Sequence, residues 1–179
     1  MCLKFVHSVS MVGILLIPIM FTMKAKSTRS SVLTLERYLP YRLSILSNRV
    51  SMIIANAYKD KFGLSITEWR IMAVLGEYPG ASADEVSNKT QIEKSMISRA
   101  VQKLLGRNLV VRHVDVQDRR RQNLELTSTG MEVYQQIVPI SYDYEDRLLE
   151  CLSENEIKQL NTIINKLNAH ADGTSLKGD

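Results

Sequence analysis

The stretch around residues 95–105 places polar and apolar side chains on opposite sides of a predicted α-helix. The polar side chains could contact nucleic acid, because hydroxyls reach phosphates or base edges, arginine pairs with guanine and glutamine with adenine. The candidate contacts of this helix are Ser95, Met96, Ser98, Arg99, Gln102 and Lys103. The opposite, apolar stripe consists of Ile97, Ala100, Val101, Leu104 and Leu105. Taken alone, the pattern is that of any amphipathic helix with one hydrated face.

Three consecutive arginines stand between two segments that predict β-strands. Residues 109–114 are rich in β-branched side chains, and residues 123–127 alternate apolar and polar ones. Adjacent arginines at a hairpin tip repel each other, so they make physical sense beside phosphates or inside a narrow minor groove. An aspartate in front of them would hold one guanidinium in a fixed rotamer. The candidate contacts of this hairpin are Asp118, Arg119, Arg120 and Arg121.

The formal net charge of +4 is spread unevenly over the 179 residues. Residues 89–121 carry nine Lys and Arg against three Asp and Glu, whereas residues 122–179 carry four against ten. A basic block between weaker flanks is typical of a surface that binds a polyanion. The alternative is a hydrated helix face with a chance excess of basic residues.

The elements that must position these side chains indicate a mainly α fold with a small β-hairpin. Three Ser-x-x-Glu capping boxes, at Ser65, Ser82 and Ser153, each predict the start of a helix. A short helix, the link Thr90-Gln91-Ile92 and a longer helix make a helix-turn-helix, and the hairpin that follows is a wing. The predicted helices cover about residues 39–61, 67–77, 83–89, 93–107, 128–150 and 153–171.

The run from Ser65 to Thr127 resembles the MarR family of bacterial transcriptional regulators, and the resemblance extends over roughly residues 32–169. One departure is Gln117, where many relatives carry arginine; the nearby Arg121 could compensate. The matching motifs are Thr67-Glu68-Trp69-Arg70, Ser95-Met-Ile-Ser98-Arg99, Leu104-Leu-Gly-Arg-Asn-Leu109-Val110 and Asp118-Arg-Arg…Leu126-Thr127, with Gly130 beyond.

The resemblance implies a winged helix-turn-helix domain at 65–127 and a helical dimerisation region at 32–64 and 128–171. It implies a homodimer that reads a pseudo-palindromic operator on duplex DNA, acting as a repressor that responds to a ligand. The helical pattern agrees, because the first and last helices carry more apolar positions than a lone wing domain could cover. They need each other or a second chain.

The resemblance also implies a small aromatic or phenolic acid as effector, since relatives commonly bind such acids between the two regions. Arginine could pair with a carboxylate, and aromatic rings could stack on the ligand. The alternative is that the tryptophan belongs to the core and the arginines form surface ion pairs. The candidate ligand contacts are Tyr38, Tyr41, Arg42, Trp69 and Arg70.

The sequence predicts neither an enzyme nor a metal or cofactor site. The histidines at 7, 113 and 170 are scattered, and no nucleophile–base pair, metal motif or glycine-rich phosphate loop is present. The two cysteines suit a reduced, cytoplasmic compartment, and we expect Cys151 to be a small core residue of a helix. A winged-helix module for protein contacts is the alternative function.

The two ends of the chain differ in composition from its centre. Residues 8–23 are uncharged and apolar but include Pro18, which makes them marginal as a membrane anchor and poor as a signal peptide. We therefore favour a start codon assigned too far upstream over a membrane-anchored regulator, and treat residues 1–31 as an extension of uncertain origin. Residues 172–179 predict a flexible tail.

Overall fold

The computed structural model describes residues 32–114 and 122–173. In these ranges a 3-10 turn, Leu35–Arg37, precedes six α-helices, and an antiparallel hairpin separates the fourth helix from the fifth. The predicted class, mainly α with a small β-hairpin wing, is confirmed. The elements are α1 Leu39–Phe62, α2 Ile66–Glu77, α3 Ala83–Thr90, α4 Lys94–Gly106, β1 Val110–Val114, β2 Gln122–Leu126, α5 Ser128–Leu149 and α6 Glu154–Gly173.

Parts of the chain for which the sequence made predictions lie outside the described residues. These are the N-terminal extension 1–31, the hairpin segment 115–121 and the last residues, 174–179. Helix α6 reaches Gly173, slightly beyond the predicted limit of the helical region at 171. Within the described ranges, each helix is too short or too polar to cross a membrane.

Local hydrogen bonds at the helix starts explain where the helices begin. At α2 the Glu68 amide donates to Ser65 Oγ at 3.2 Å, and Glu68 Oε2 accepts from the Ser65 amide at 2.7 Å. The predicted boxes at Ser82 and Ser153 form in the same way. Each box satisfies two amides that have no partner inside the helix. Gly63, in the left-handed conformation with φ of 59°, ends α1 as predicted.

The hydrophobic core lies in the winged helix-turn-helix. Side chains of α2, α3, α4 and the hairpin enclose it, and a few residues of α1 and α5 extend it. Burying a side chain of this size contributes about 1.5–3 kcal/mol, so this cluster fixes how α4 is oriented. Its fully buried members include Ile71, Met72, Leu75, Val86, Ile97, Val101, Leu104 and Leu124.

The first and last helices contribute little to that core. Helix α1 buries only Ala55 and Tyr58, and no described side chain of α6 is buried. A helix that leaves its apolar side chains in water is poorly stabilised alone. The exposed apolar residues include Leu39, Leu43, Leu46, Met52 and Ile53 on α1 and Leu160, Ile163, Ile164 and Leu167 on α6.

The wing is joined to α5 by close backbone contacts. Strands β1 and β2 pair from Val110 with Leu126 to Val114 with Gln122. Thr127 Oγ1 then donates to the Asn108 carbonyl at 2.7 Å and accepts from the Gly130 amide at 2.9 Å. One threonine therefore caps α5 and fastens it to the base of the hairpin.

Candidate nucleic-acid interface

Helix α4 presents the predicted polar face to solvent. Ile97, Ala100, Val101 and Leu104 are buried, and Leu105 is partly buried, so the apolar stripe is packed inward as predicted. Burial on one side fixes the rotation of the helix about its axis. The opposite face can therefore meet a ligand without rearrangement. All six candidate contacts of this helix are exposed: Ser95, Met96, Ser98, Arg99, Gln102 and Lys103.

The link between α3 and α4 holds the two helices at a fixed angle. Gln91 adopts the left-handed conformation, φ 53°, at the end of α3. Ser87 Oγ donates to the Ile92 carbonyl at 2.6 Å and closes the turn. These bonds are local, so the predicted three-residue link is stable without a ligand.

The start of α4 carries acidic as well as basic groups. Lys94 Nζ lies 2.9 Å from a carboxylate oxygen of Asp84 on α3. Ser95 Oγ donates to Glu93 Oε1 at 3.0 Å, so the hydroxyl proton of Ser95 is engaged inside the protein. The oxygen lone pairs of Ser95 remain for an incoming donor, such as a base amino group.

The end of α4 is tied to α1 by Arg107, a contact that the sequence did not indicate. The Arg107 guanidinium donates to the Gly63 carbonyl at 3.0 Å and to the Phe62 carbonyl. Both carbonyls lie at the C-terminal end of α1, where backbone acceptors have no partner inside the helix. The arginine thus caps α1 and connects it to the candidate reading helix.

The hairpin is described only along its two strands. His113 Nε2 lies 3.6 Å from Glu125 Oε2 across them, and both side chains are about half exposed. The candidate contacts Asp118, Arg119, Arg120 and Arg121 fall in the segment between the strands, outside the described residues. Their role remains the expectation given by the sequence.

Two of the five candidate ligand residues lie where α1, α2 and α5 meet. Trp69 stands between two tyrosines, with ring centroids 5.7 Å from Tyr58 and 5.9 Å from Tyr134. Arg70 donates to Ser51 Oγ at 2.9 Å. Burial raises the pKa of Tyr58 to about 12, although the nearby Arg70 charge lowers it in part. The cluster is packed against the core, as the alternative prediction for Trp69 had it.

The other three, Tyr38, Tyr41 and Arg42, are exposed at the start of α1. Arg42 precedes Ser51 by nine residues, and the rise of a helix makes that roughly 14 Å along α1. Within one chain, therefore, the five do not form one cluster. Sequence reasoning missed Tyr58 and Tyr134. Tyr58 follows Ile54 by four residues, so it could have been added to the apolar pattern of α1. No local pattern near Tyr134 indicated its contact with Trp69.

Cys151 is exposed, and the prediction of a core cysteine was wrong. Helix α5 ends at Leu149, so Cys151 lies in the turn before α6, where no helix face carries it inward. In the described part of the chain, no group of three or more His, Cys, Asp or Glu side chains could hold a metal ion.

A short helix, a fixed turn, an exposed polar helix and a two-stranded wing follow one another in the order that defines a winged helix-turn-helix protein. The family model described as "MarR family" matches residues 62–121, which run from the end of α1 to the end of the hairpin segment. Over these residues the chain is similar to the MarR family of transcriptional regulators.

The relatives extend the match over the flanking helices. The HTH-type transcriptional regulator BilQ of Clostridium symbiosum (strain WAL-14163) is 29% identical over 108 residues, which are 60% of this chain and 75% of BilQ. A MarR/EmrR family regulator from Acinetobacter sp. ADP1 has a crystal structure similar to this one, with a TM-score of 0.73 and 29% identity. That match covers 79% of this chain and all of the other.

Bordetella bronchiseptica BpsR shares the fold at 18% identity and a TM-score of 0.68, over 76% of this chain and 97% of BpsR. The DNA binding of BpsR is regulated by 6-hydroxynicotinic acid.

Proposed function

We propose that this regulator binds duplex DNA as a homodimer, places one α4 in the major groove of each half-site, and represses transcription from a pseudo-palindromic operator. The observation that carries the proposal is the polar face of α4, which is exposed while the core fixes the rotation of the helix. A protein that works in this way acts where chromosomal DNA lies, which in a bacterium is the cytoplasm.

The base-reading part of the proposal is tested with substitutions on α4. Arg99→Ala or Gln102→Ala should change which sequence is preferred, because each residue can form paired hydrogen bonds with one base. Arg119→Ala or Arg120→Ala should instead weaken binding to all sequences and reduce its salt dependence. The measurement is affinity for selected and random duplexes. An equal loss on both duplexes from the α4 variants would contradict base reading.

The homodimer is supported by the apolar side chains that α1 and α6 leave exposed. Ile163 on α6 is 53% exposed, so Ile163→Glu should not disturb the fold of a single chain. If a second chain covers it, the same change buries a carboxylate and should separate the dimer. Asn165→Glu adds the same charge at another exposed position of α6 and is the control. Sedimentation velocity measures the oligomeric state of the wild type and of both variants. A monomeric wild type would refute the proposal.

The effector part of the proposal assigns a small aromatic acid that lowers DNA affinity. Its support is the Tyr58–Trp69–Tyr134 cluster, which lies at the junction of α1, α2 and α5, and the fold shared with BpsR. A preference of about 1–3 kcal/mol for the form that releases DNA is enough. We expect 6-hydroxynicotinic acid or benzoate to quench Trp69 fluorescence and to weaken DNA binding together. Quenching without any loss of DNA affinity would contradict this part.

A further inference from the structure

A cleft of about 710 Å³ lies beside the candidate reading helix and outside its six proposed contacts, except for Lys103. The end of α1, the start of α2 and one flank of α4 form its walls. Three cationic side chains line it: Lys59 from α1, Lys103 from α4, and Arg107 directly after the last residue of α4. Two acidic residues, Asp60 and Glu68, also reach its wall.

The cleft is electropositive because its three cationic side chains outnumber its two carboxylates. Glu68 is 4% exposed, and its carboxylate accepts the Ser65 amide at 2.7 Å in the capping box of α2. That box also uses the Glu68 amide, so the attraction for an anion comes from the cationic side chains and not from the helix start. The bond from the Ser65 amide leaves the charge of Glu68 unchanged but holds its carboxylate in the buried capping box, so Asp60 is the more exposed of the two carboxylates. Among the described residues, the ion pairs involve neither Lys59 nor Lys103.

Arg107 is a fixed cation. Its guanidinium is held by the carbonyls of Phe62 and Gly63, which neutralise no net charge because they are uncharged dipoles. A charge held in place before binding loses little conformational entropy when a ligand arrives. Arg107 therefore supplies a positive wall, while Lys59 and Lys103 can move to meet the ligand.

The cleft continues the flank of the helix that would enter DNA. Lys103 on α4 and Arg107, directly after its last residue, follow Arg99 at four-residue steps, so the three lie in a line that leads from a proposed base contact into the cleft. A helix with its side chains is about 10–12 Å across, and the major groove is about 12 Å wide. A helix inside the groove thus fills its width, and its flanks face the phosphates of the two strands. The ligand that the cleft would meet first is a phosphate.

We propose that this cleft binds a backbone phosphate of the DNA, and that Lys59 and Arg107 bind it together with Lys103. This inference rests on the proposed function, because it assumes that α4 enters the groove. It adds a DNA contact from α1, a helix outside the winged helix-turn-helix. Since phosphates carry no sequence information, the contact strengthens binding to every duplex equally.

The test is Lys59→Gln in the full-length protein, with Lys61→Gln as its matched control. Both lysines lie in the last turn of α1, so both changes remove one charge from the same helix end. Lys61 is engaged elsewhere, since its Nζ donates to Gln136 Oε1 on α5 at 3.1 Å. Affinity for a selected and a random duplex is measured between 50 and 200 mM salt.

We expect Lys59→Gln to weaken binding to both duplexes. The negative slope of log affinity against log salt should become smaller in magnitude by about one. The ratio of wild-type to variant affinity should then fall about 3.5-fold across that range, while Lys61→Gln keeps the wild-type slope. If Lys59→Gln and Lys61→Gln have the same slope, the cleft holds no DNA phosphate and the proposal is wrong.

A second measurement separates DNA from a free anion, using inorganic phosphate titrated into the DNA-free protein and followed by NMR. Phosphate that binds at the cleft while Lys59→Gln leaves the DNA salt slope unchanged would overturn the proposal in favour of a small anionic ligand. The proposed function is judged separately. If Arg99→Ala still changes sequence preference, that function stands although the cleft proposal fails.

Discussion

Gly130, in the first turn of α5, gives the most direct test of how the wing is joined to the helical region. A Cβ atom at this position would lie 1.9 Å from the Leu109 carbonyl oxygen and 2.9 Å from its carbonyl carbon. Backbone atoms cannot rotate aside, and observed Cβ contacts are essentially never under 3.0 Å. In Gly130→Ala the start of α5 must therefore move away from Leu109, the residue before β1, by about 1 Å.

That movement breaks the bonds at the junction. The Thr127 amide donates to the Leu109 carbonyl at 3.1 Å, and Thr127 Oγ1 donates to the Asn108 carbonyl at 2.7 Å. Losing both costs about 1 kcal/mol each, and a disturbed Thr127 cap adds about 1 kcal/mol. We expect Gly130→Ala to lower the free energy of unfolding by about 2–4 kcal/mol.

Urea unfolding, followed by circular dichroism at one fixed protein concentration, measures this loss, because the stability of a dimer depends on concentration. Gly106→Ala is the control. A Cβ at Gly106 meets nothing within 4 Å, so alanine should leave stability unchanged or raise it by up to about 1 kcal/mol. If Gly130→Ala and Gly106→Ala unfold within about 0.5 kcal/mol of each other, the close contact with Leu109 is not real.

Three further substitutions test the helix junctions. Burial raises the pKa of Tyr58 from 10.0 to about 12, so the neutral side chain stabilises the fold fully below pH 10 and this stabilisation is lost as the pH rises towards 12. The difference in free energy of unfolding between wild type and Tyr58→Phe, measured in urea, should therefore stay constant below pH 10 and change between pH 10 and 12. Gly76→Ala would place a Cβ 2.5 Å from the Tyr134 ring, so we expect altered Trp69 fluorescence and a loss of about 1–3 kcal/mol in urea unfolding. Ser65→Ala removes the cap of α2 and should lower the free energy of unfolding, measured by thermal unfolding, by about 0.5–2 kcal/mol. Ser98→Ala, on the exposed face of α4, should leave it unchanged.

The sequence was sufficient wherever structure depends on neighbouring residues. The capping boxes at Ser65 and Ser82 and the glycine at 63 predicted helix ends to within one or two residues, because the bonds that define those ends span only a few positions. The outward face of α4 was predictable for a similar reason. A 13-residue helix with one apolar stripe can be buried in only one orientation.

Contacts between distant residues could not be predicted in this way. Arg107 lies 44 positions from Gly63, and in the sequence it is one basic residue among many. The contact between the Trp69 and Tyr134 rings depends on how α2 crosses α5, which no local pattern specifies. The error at Cys151 is of a milder kind: the apolar pattern of α5 was extended two residues past the end of the helix.

Helix α1 contacts the winged helix-turn-helix at two separate points. Arg107 fastens its C-terminal carbonyls to the end of α4, and Tyr58 packs against Trp69 of α2, one turn before those carbonyls. Because α4 packs on α2, a rotation of α1 must either break both contacts or move α4 and its polar face with it. The apolar side chains that α1 leaves exposed are the ones a second chain would hold in the proposed dimer. A ligand that changes the angle between the two α1 helices would thus alter the spacing of the two recognition helices, and with it the affinity for a site of fixed length.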